Sequence, residues 1–201
     1  MLFDKVKQNL EEKGYKVTVC DTAEAAAEYL DREIDKKSVG FGGSVTVQEL
    51  GLYDRLKAHN EVYSHAKVPE GKTKKEIQAL ANSADVYISS ANGLSEAGDI
   101  INIDGACNRI SSICYGHEKV YFVIGKNKLC ATYDEALYRA RNIAAPKNAQ
   151  RLKKNTPCAV NADKCYNCSS PDRICRVLSV FWSKPMVGEF EVVLIDENLG
   201  F

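Results

Sequence analysis

The sequence predicts an α/β fold, a mostly parallel sheet covered by helices, and three observations carry that prediction. Short apolar segments alternate with segments of helical periodicity along most of the chain. Several apolar segments are continuous rather than alternating, as strands buried on both faces are. Strands regularly separated by helices imply parallel pairing, because a parallel neighbour needs a crossover connection. At 201 residues the chain suits a single domain over 1–201 with one main core.

The elements follow in order. Residues 2–13 place Leu2, Val6, Asn9, Leu10 and Lys13 at helical spacing, and Gly14 ends that helix. A strand at 15–19 is followed by Asp21, three residues before Glu24, as the cap of an alanine-rich helix reaching Ile34. Residues 38–41 form a short buried strand. Thr46 and Glu49 read as a capping box opening a helix to Ala58, with a strand at 62–63 and a second box at Thr73 and Glu76. Residues 86–90 and 120–124 are the next strands. A third box at Thr132 and Glu135 opens a helix carrying Ala136, Leu137, Ala140, Ile143 and Ala144, and Pro146 starts a further helical piece to Lys153. The pattern breaks at 155–176, where Cys, Asn, Ser, Pro and Asp crowd together, and resumes with a strand at 190–195.

Charge narrows the function classes. Lys plus Arg number 27 and Asp plus Glu number 27, so no global field selects nucleic acid or an anionic membrane. The charged amino-terminal stretch has no secretory pattern and no later stretch is long enough to span a bilayer, so the expected location is the cytoplasm. Eight cysteines in that compartment point to thiols or metal ligands more than to disulfides.

Two polar stretches carry binding chemistry. Gly40-Phe41-Gly42-Gly43-Ser44-Val45-Thr46 lies between a strand and a helix, where backbone amides converge on a phosphate or carboxylate. It matches neither the P-loop nor the dinucleotide fingerprint, and a tight turn is the alternative. The stretch 90–109 sets Glu96, Asp99 and Asp104 beside Asn92, Asn108 and Arg109, after the carboxyl end of a strand, where open α/β sheets bind ligands. Glu96 or Asp99 suits proton transfer and Arg109 suits a bidentate grip on an anion. The alternative is that the Asn and Asp residues shape turns while Arg109 makes an internal ion pair.

Cys158, Cys165, Cys168 and Cys175 are spaced C-x6-C-x2-C-x6-C, a set of four soft ligands suited to zinc or an iron-sulfur cluster. Lys164, Arg173 and Arg176 would offset thiolate charge, and a metal would staple a loop short of apolar residues. A redox pair, two disulfides or simple packing are the alternatives. The spacing is not that of a common ferredoxin, and Arg176 rather than proline follows the last cysteine. Cys20, Cys107, Cys114 and Cys130 read as buried small hydrophobes, with Cys107 a nucleophile candidate if it faces the pocket. His59, His65 and His117 show no ligand spacing, and Tyr115 and Tyr121 read as core or pocket-wall aromatics.

The ordered set GFGGSVTVQELGL, SANGLSEAGDIINIDGACNRISSICYG, KVYFVIGKNKL, RNIAAPKNAQRL, TPCAV, CYNCSSPDRICR and ENLGF resembles the lactate-utilisation (LUD) domain family over nearly the whole chain. The resemblance implies a fold similar to ribose-phosphate isomerases, glucosamine-phosphate deaminases and coenzyme A transferases, whose glycine-rich loop and acidic turn face a shared pocket. It puts Gly42, Gly43 and Ser44 at an anion loop and Glu96, Asp99, Asp104, Asn108 and Arg109 around that pocket. The family's tie to lactate oxidation through an iron-sulfur system implies a small organic acid as ligand, iron-sulfur oxidoreductase subunits as partners, and a cluster over zinc at the cysteines. The alternatives are a stand-alone enzyme on a phosphorylated sugar or coenzyme A thioester, and a metabolite-sensing module with structural zinc.

Overall fold

The computed structural model describes residues 2–201. Amphipathic α1 (Asp4–Glu12) buries Val6 and Leu10 and leads into strand β1 (Lys16–Cys20). Helix α2 (Ala23–Glu33) follows, and its cap is Thr22, whose side chain accepts from Ala25 N at 3.1 Å, rather than the expected Asp21. Strand β2 (Ser38–Phe41) precedes two short helices, α3 (Val45–Glu49) and α4 (Leu52–Leu56), in place of the single helix expected. Gly51 interrupts them with a left-handed backbone (φ 64°). The expected Thr46–Glu49 box is also replaced: Ser44 caps α3, because the Thr46 hydroxyl donates to Leu199 O and the Glu49 carboxylate accepts from Gly200 N.

Next come β3 (Glu61–Ser64), α5 (Lys74–Asn82) with the expected Thr73–Glu76 box, and β4 (Val86–Ser89). A hairpin of β5 (Gly93–Ser95) and β6 (Ile100–Asp104) and a helix, α6 (Asn108–Cys114), occupy a stretch that the sequence left as polar connection. Strand β7 (Lys119–Gly125) is followed by β8 (Leu129–Cys130) and by α7 (Tyr133–Arg139), opened by the expected Thr132–Glu135 box. A π-helical turn at Ala140–Ala144 joins α7 directly to α8 (Ala145–Arg151), so Pro146 lies in the first turn of a continuing helix and starts no separate one. The cysteine-rich segment contains only α9 (Pro157–Asn161), and the chain closes with β9 (Val177–Phe181) and β10 (Glu189–Ile195).

Six strands form one wholly parallel sheet in the order β1-β10-β7-β4-β2-β3, and four form a smaller mixed sheet in the order β8-β5-β6-β9. Alternation along the central strands divides the core. Tyr121, Val123, Val193 and Ile195 face α2, α3 and α4, while Val120, Phe122, Ile124, Val192 and Leu194 face α1, α6 and the hairpin. Full burial of such side chains supplies roughly 1.5–3 kcal/mol each, which makes the two central strands β7 and β10 the most heavily stabilised part of the fold.

One glycine is demanded by packing. A Cβ on Gly40 of β2 would collide with the Ala81 carbonyl of α5 and lie 2.8 Å from Tyr87 Cδ2 on β4. Backbone cannot yield as a flexible side-chain tip can, and overpacking of this kind costs about 1–3 kcal/mol. Gly40→Ala is expected to lower the unfolding free energy by that amount, read as a lower urea midpoint with an unchanged slope.

Candidate functional site

The carboxyl ends of β7, β4 and β2 are neighbours in the sheet, so the loops leaving them meet at one edge, the position where open parallel sheets bind ligands. Three side chains from those loops touch. Lys128, in the 3-10 turn after β7, donates from Nζ to Thr46 Oγ1 at 2.6 Å and to Ser90 Oγ at 2.8 Å. Thr46 follows β2 and Ser90 follows β4. An ammonium has three protons, and two are used here.

Lys128 is only 3% exposed, and burial pushes its pKa down to about 7, helped by the positive charges of Arg139 and Arg109 and opposed by Glu49. Arg139, 7% exposed, spends its guanidinium on backbone carbonyls: Nε to Asn127 O at 2.6 Å, Nη1 to Asn92 O at 2.6 Å and to Phe201 O at 3.2 Å. Arg109 is held similarly, donating to Asn102 Oδ1 at 2.6 Å, Ile103 O at 2.7 Å and Asn92 Oδ1 at 3.1 Å. Two buried cations, Lys128 and Arg139, therefore stand with the nearly buried Arg109, whose nearest carboxylate contact is Asp104 Oδ2, 3.8 Å from its Nε.

That carboxylate is itself occupied. Asp104 Oδ1 accepts from the amides of Gly105, Ala106 and Cys107, and Oδ2 accepts from Ile110 N. It organises the turn into α6, where Cys107 takes a left-handed backbone (φ 62°). Asp104 is thus a turn builder beside Arg109, the arrangement in which both residues act on the protein's own backbone.

A recess of about 50 Å³ reaches Lys128 between Gly43, Ser44, Asn92, Arg151 and Phe201. It opens, past the shared residues Gly43, Asn92, Arg109, Asn148 and Arg151, onto a chamber of about 450 Å³, within the range of small-ligand pockets. The chamber adds Lys154, Arg173 and Arg176 to the positive side and Asp172 to the negative. Asp172 accepts from Asn155 N. His65 also lines the chamber, its pKa lowered by burial and by the charges of Lys74 and Arg151.

The residues singled out from sequence divide into two groups. Gly43, Ser44, Asn92, Asp104, Asn108 and Arg109 line the recess or the chamber. Gly42 lies just behind: its amide donates to Ile88 O, and a Cβ there would sit 3.2 Å from Arg109 Cγ. The amides of Gly43 and Ser44 have no acceptor among the described residues. The structure does not bring Glu96 and Asp99 to this cavity. They lie at the turn of the β5–β6 hairpin, whose open end carries Asn92 and Asp104. Glu96 pairs there with Lys5 at 2.7 Å, and Asp99 with Lys13 at 3.1 Å, so both dock α1 onto the hairpin.

Other expectations shift as well. Cys20 is buried, but Cys114 is exposed and Cys107 and Cys130 are half-buried, and Cys107 is not among the cavity-lining residues. Tyr121 is core, whereas Tyr115 is exposed. Lys128, Ser90 and Arg151 were missed by sequence reasoning. The available signal was a lysine just past a fully apolar strand. All four of Cys158, Cys165, Cys168 and Cys175 line one small cavity under α8, although no group of three or more His, Cys, Asp or Glu among the described residues is placed to hold a metal ion.

Lys128 gives the fold a pH signature. Its folded pKa lies below the ordinary value of 10.5, so between about pH 7 and pH 10.5 the unfolded chain binds more protons than the folded one. The burial penalty is full below that window and is relieved as pH rises through it. Lys128→Met is expected to raise the unfolding free energy at and below pH 7 on the order of a few kcal/mol, read as a higher urea midpoint. It is also expected to flatten the wild-type gain in stability towards pH 10.5.

The LUD domain family model matches residues 3–195. The fold is similar to the crystal structure of a DUF162 family protein from Deinococcus radiodurans, with a TM-score of 0.56, 10% sequence identity and 96% of each chain covered. Comparison with curated proteins gives no match. Among the described residues no helix is long and apolar enough to cross a membrane. With residues 3–195 of 201 matched, the chain belongs to the LUD domain family, which is linked to lactate utilisation.

Proposed function

We propose that this chain is a component of L-lactate utilisation that binds a small organic anion at the carboxyl edge of its sheet. The carboxylate enters the recess at Lys128, and the rest of the ligand extends towards Arg151. One observation carries the reading: Lys128 and Arg139 are buried beside the nearly buried Arg109, and Asp104, the carboxylate closest to Arg109, is tied to four backbone amides. Buried charge that is incompletely balanced is costly, and an anionic ligand supplies a partner.

Lys128 has a proton to donate to that ligand, and with a pKa of about 7 it is also suited to give up or take a proton near neutrality. In oxidation of lactate to pyruvate, two electrons and two protons leave the substrate. The electrons pass to a partner, for which iron-sulfur oxidoreductase subunits are the fitting class, while this chain positions the acid.

A second reading has its own support. A chamber of about 450 Å³ is roomier than lactate needs, and its surplus of Arg and Lys suits a phosphorylated metabolite. Titration calorimetry separates the two, with L-lactate, pyruvate, inorganic phosphate and glucose 6-phosphate as probes. The expected result is saturable binding of L-lactate or pyruvate, weakened roughly 10- to 100-fold in Lys128→Met, since a hydrogen bond to a charged group contributes about 1.5–3 kcal/mol. Glu96→Gln is expected to bind as wild type does. Binding of the phosphorylated probe alone would favour the second reading, and no binding of any probe would contradict both.

A further inference from the structure

The carboxyl edge of the sheet continues past the anion site to β3, which pairs in parallel with β2. There the segments after β2 and β3 enclose a second cavity, of about 210 Å³. Phe41 at the end of β2, Val47 of α3, and Leu52 and Tyr53 of α4 give it an apolar lining. Phe41, Val47 and Leu52 belong to the main core, so close packing sets their positions before any ligand arrives. Tyr53 is fixed as well: its ring centroid lies 6.2 Å from that of Phe41 and 4.3 Å from Lys67 Nζ, which is anchored on Asp54 at 2.7 Å.

Asp54 and Lys67 both line this cavity, and they balance each other. The cavity therefore suits an apolar group rather than a second anion. Its size suits a ring, since a dry apolar cavity of roughly 150 Å³ accommodates benzene.

What adjoins the cavity identifies its occupant. Gly43 and His65 line both this cavity and the chamber of about 450 Å³, and Gly43 and Ser44 line both this cavity and the recess at Lys128. Gly43 thus borders all three spaces. A Cβ there would meet His65 Cε1 at 3.4 Å, so the missing side chain leaves room beside the imidazole. His65 makes no hydrogen bond among the described residues. Burial and the charges of Lys74 and Arg151 lower its pKa, so near neutral pH its ring offers a ligand one donor and one acceptor. Small-ligand sites combine mostly apolar walls with a few placed polar groups. Here the recess and chamber supply the polar groups and this cavity supplies the apolar wall.

We propose that the ligand class extends beyond lactate to 2-hydroxy and 2-oxo acids that bear an apolar ring. The carboxylate sits at Lys128, Gly43 and His65 flank the middle of the molecule, and the ring lies against Phe41, Leu52 and Tyr53. The inference rests on the organic-anion reading above and adds a specificity pocket to it; 3-phenyllactate is lactate with a ring on its methyl carbon.

The test is titration calorimetry of the full chain with L-lactate, L-3-phenyllactate and benzyl alcohol, a neutral ring. Phenyllactate is expected to bind roughly 10- to 100-fold more tightly than lactate, as burial of a phenyl group predicts, and far more tightly than benzyl alcohol. Lys128→Met is expected to weaken both acids. Ala66→Trp, at an exposed residue lining the cavity, is expected to remove the advantage of phenyllactate over lactate. Because a tryptophan there can turn outward, intermolecular nuclear Overhauser effects from the phenyl protons to Leu52 and Tyr53 locate the ring directly. Equal binding of the two acids, or a bound ring without those contacts, would overturn this inference and leave the anion reading intact. Benzyl alcohol binding as tightly as phenyllactate would overturn it by making the cavity an independent apolar site. Failure of both acids to bind would overturn the organic-anion reading together with it.

Discussion

The burial of one ammonium group organises the functional edge of this protein. Lys128 leaves the end of β7 and is held by hydroxyls from the loops after β2 and β4, so a single Nζ ties together three segments that are distant in sequence. The hydroxyls accept two of its three protons and leave its charge unbalanced. Everything else at this edge answers to that imbalance: Arg139 and Arg109 are spent on carbonyl and amide oxygens, and Asp104 is spent on the turn into α6.

Topology explains why the imbalance persists. The hairpin inserted between β4 and α6 sends Glu96 and Asp99 to its far turn, where they pair with Lys5 of α1 and with Lys13 at its carboxyl cap. The carboxylates that sit close in sequence to Asn92 and Arg109 are thereby removed from the cavity. A fold that aims its polar turn the other way would neutralise its own pocket; this one keeps the pocket positive. The cysteine-rich segment also lines the chamber, contributing Arg173 and Arg176.

The parallel sheet was legible because its strands are apolar on both faces and its helices carry caps that sequence can display, as Thr73–Glu76 and Thr132–Glu135 do. The smaller sheet was hidden. Its strands β5 and β8 are two or three residues long and sit among Asn, Asp and Gly that read as connection. The Thr46 box failed because tertiary partners, Leu199 O and Lys128, took its hydroxyl. At the site, the glycine loop and Arg109 were visible as local motifs. Lys128 was not, since nothing local announces that a lysine after a strand will be buried. The misplacement of Glu96 and Asp99 has the same origin: sequence proximity to Asn92 says nothing about which end of a hairpin a carboxylate occupies.

The central claim is that Lys128 is an ammonium waiting for an anion, and heteronuclear NMR titration of its Nζ in the free protein and at saturating L-lactate tests it most directly. The account expects a pKa near 7 in the free protein and a clear upward shift with lactate, because a carboxylate beside the group favours its charged form. Titration near the ordinary 10.5, unmoved by lactate or any other organic anion, would contradict it.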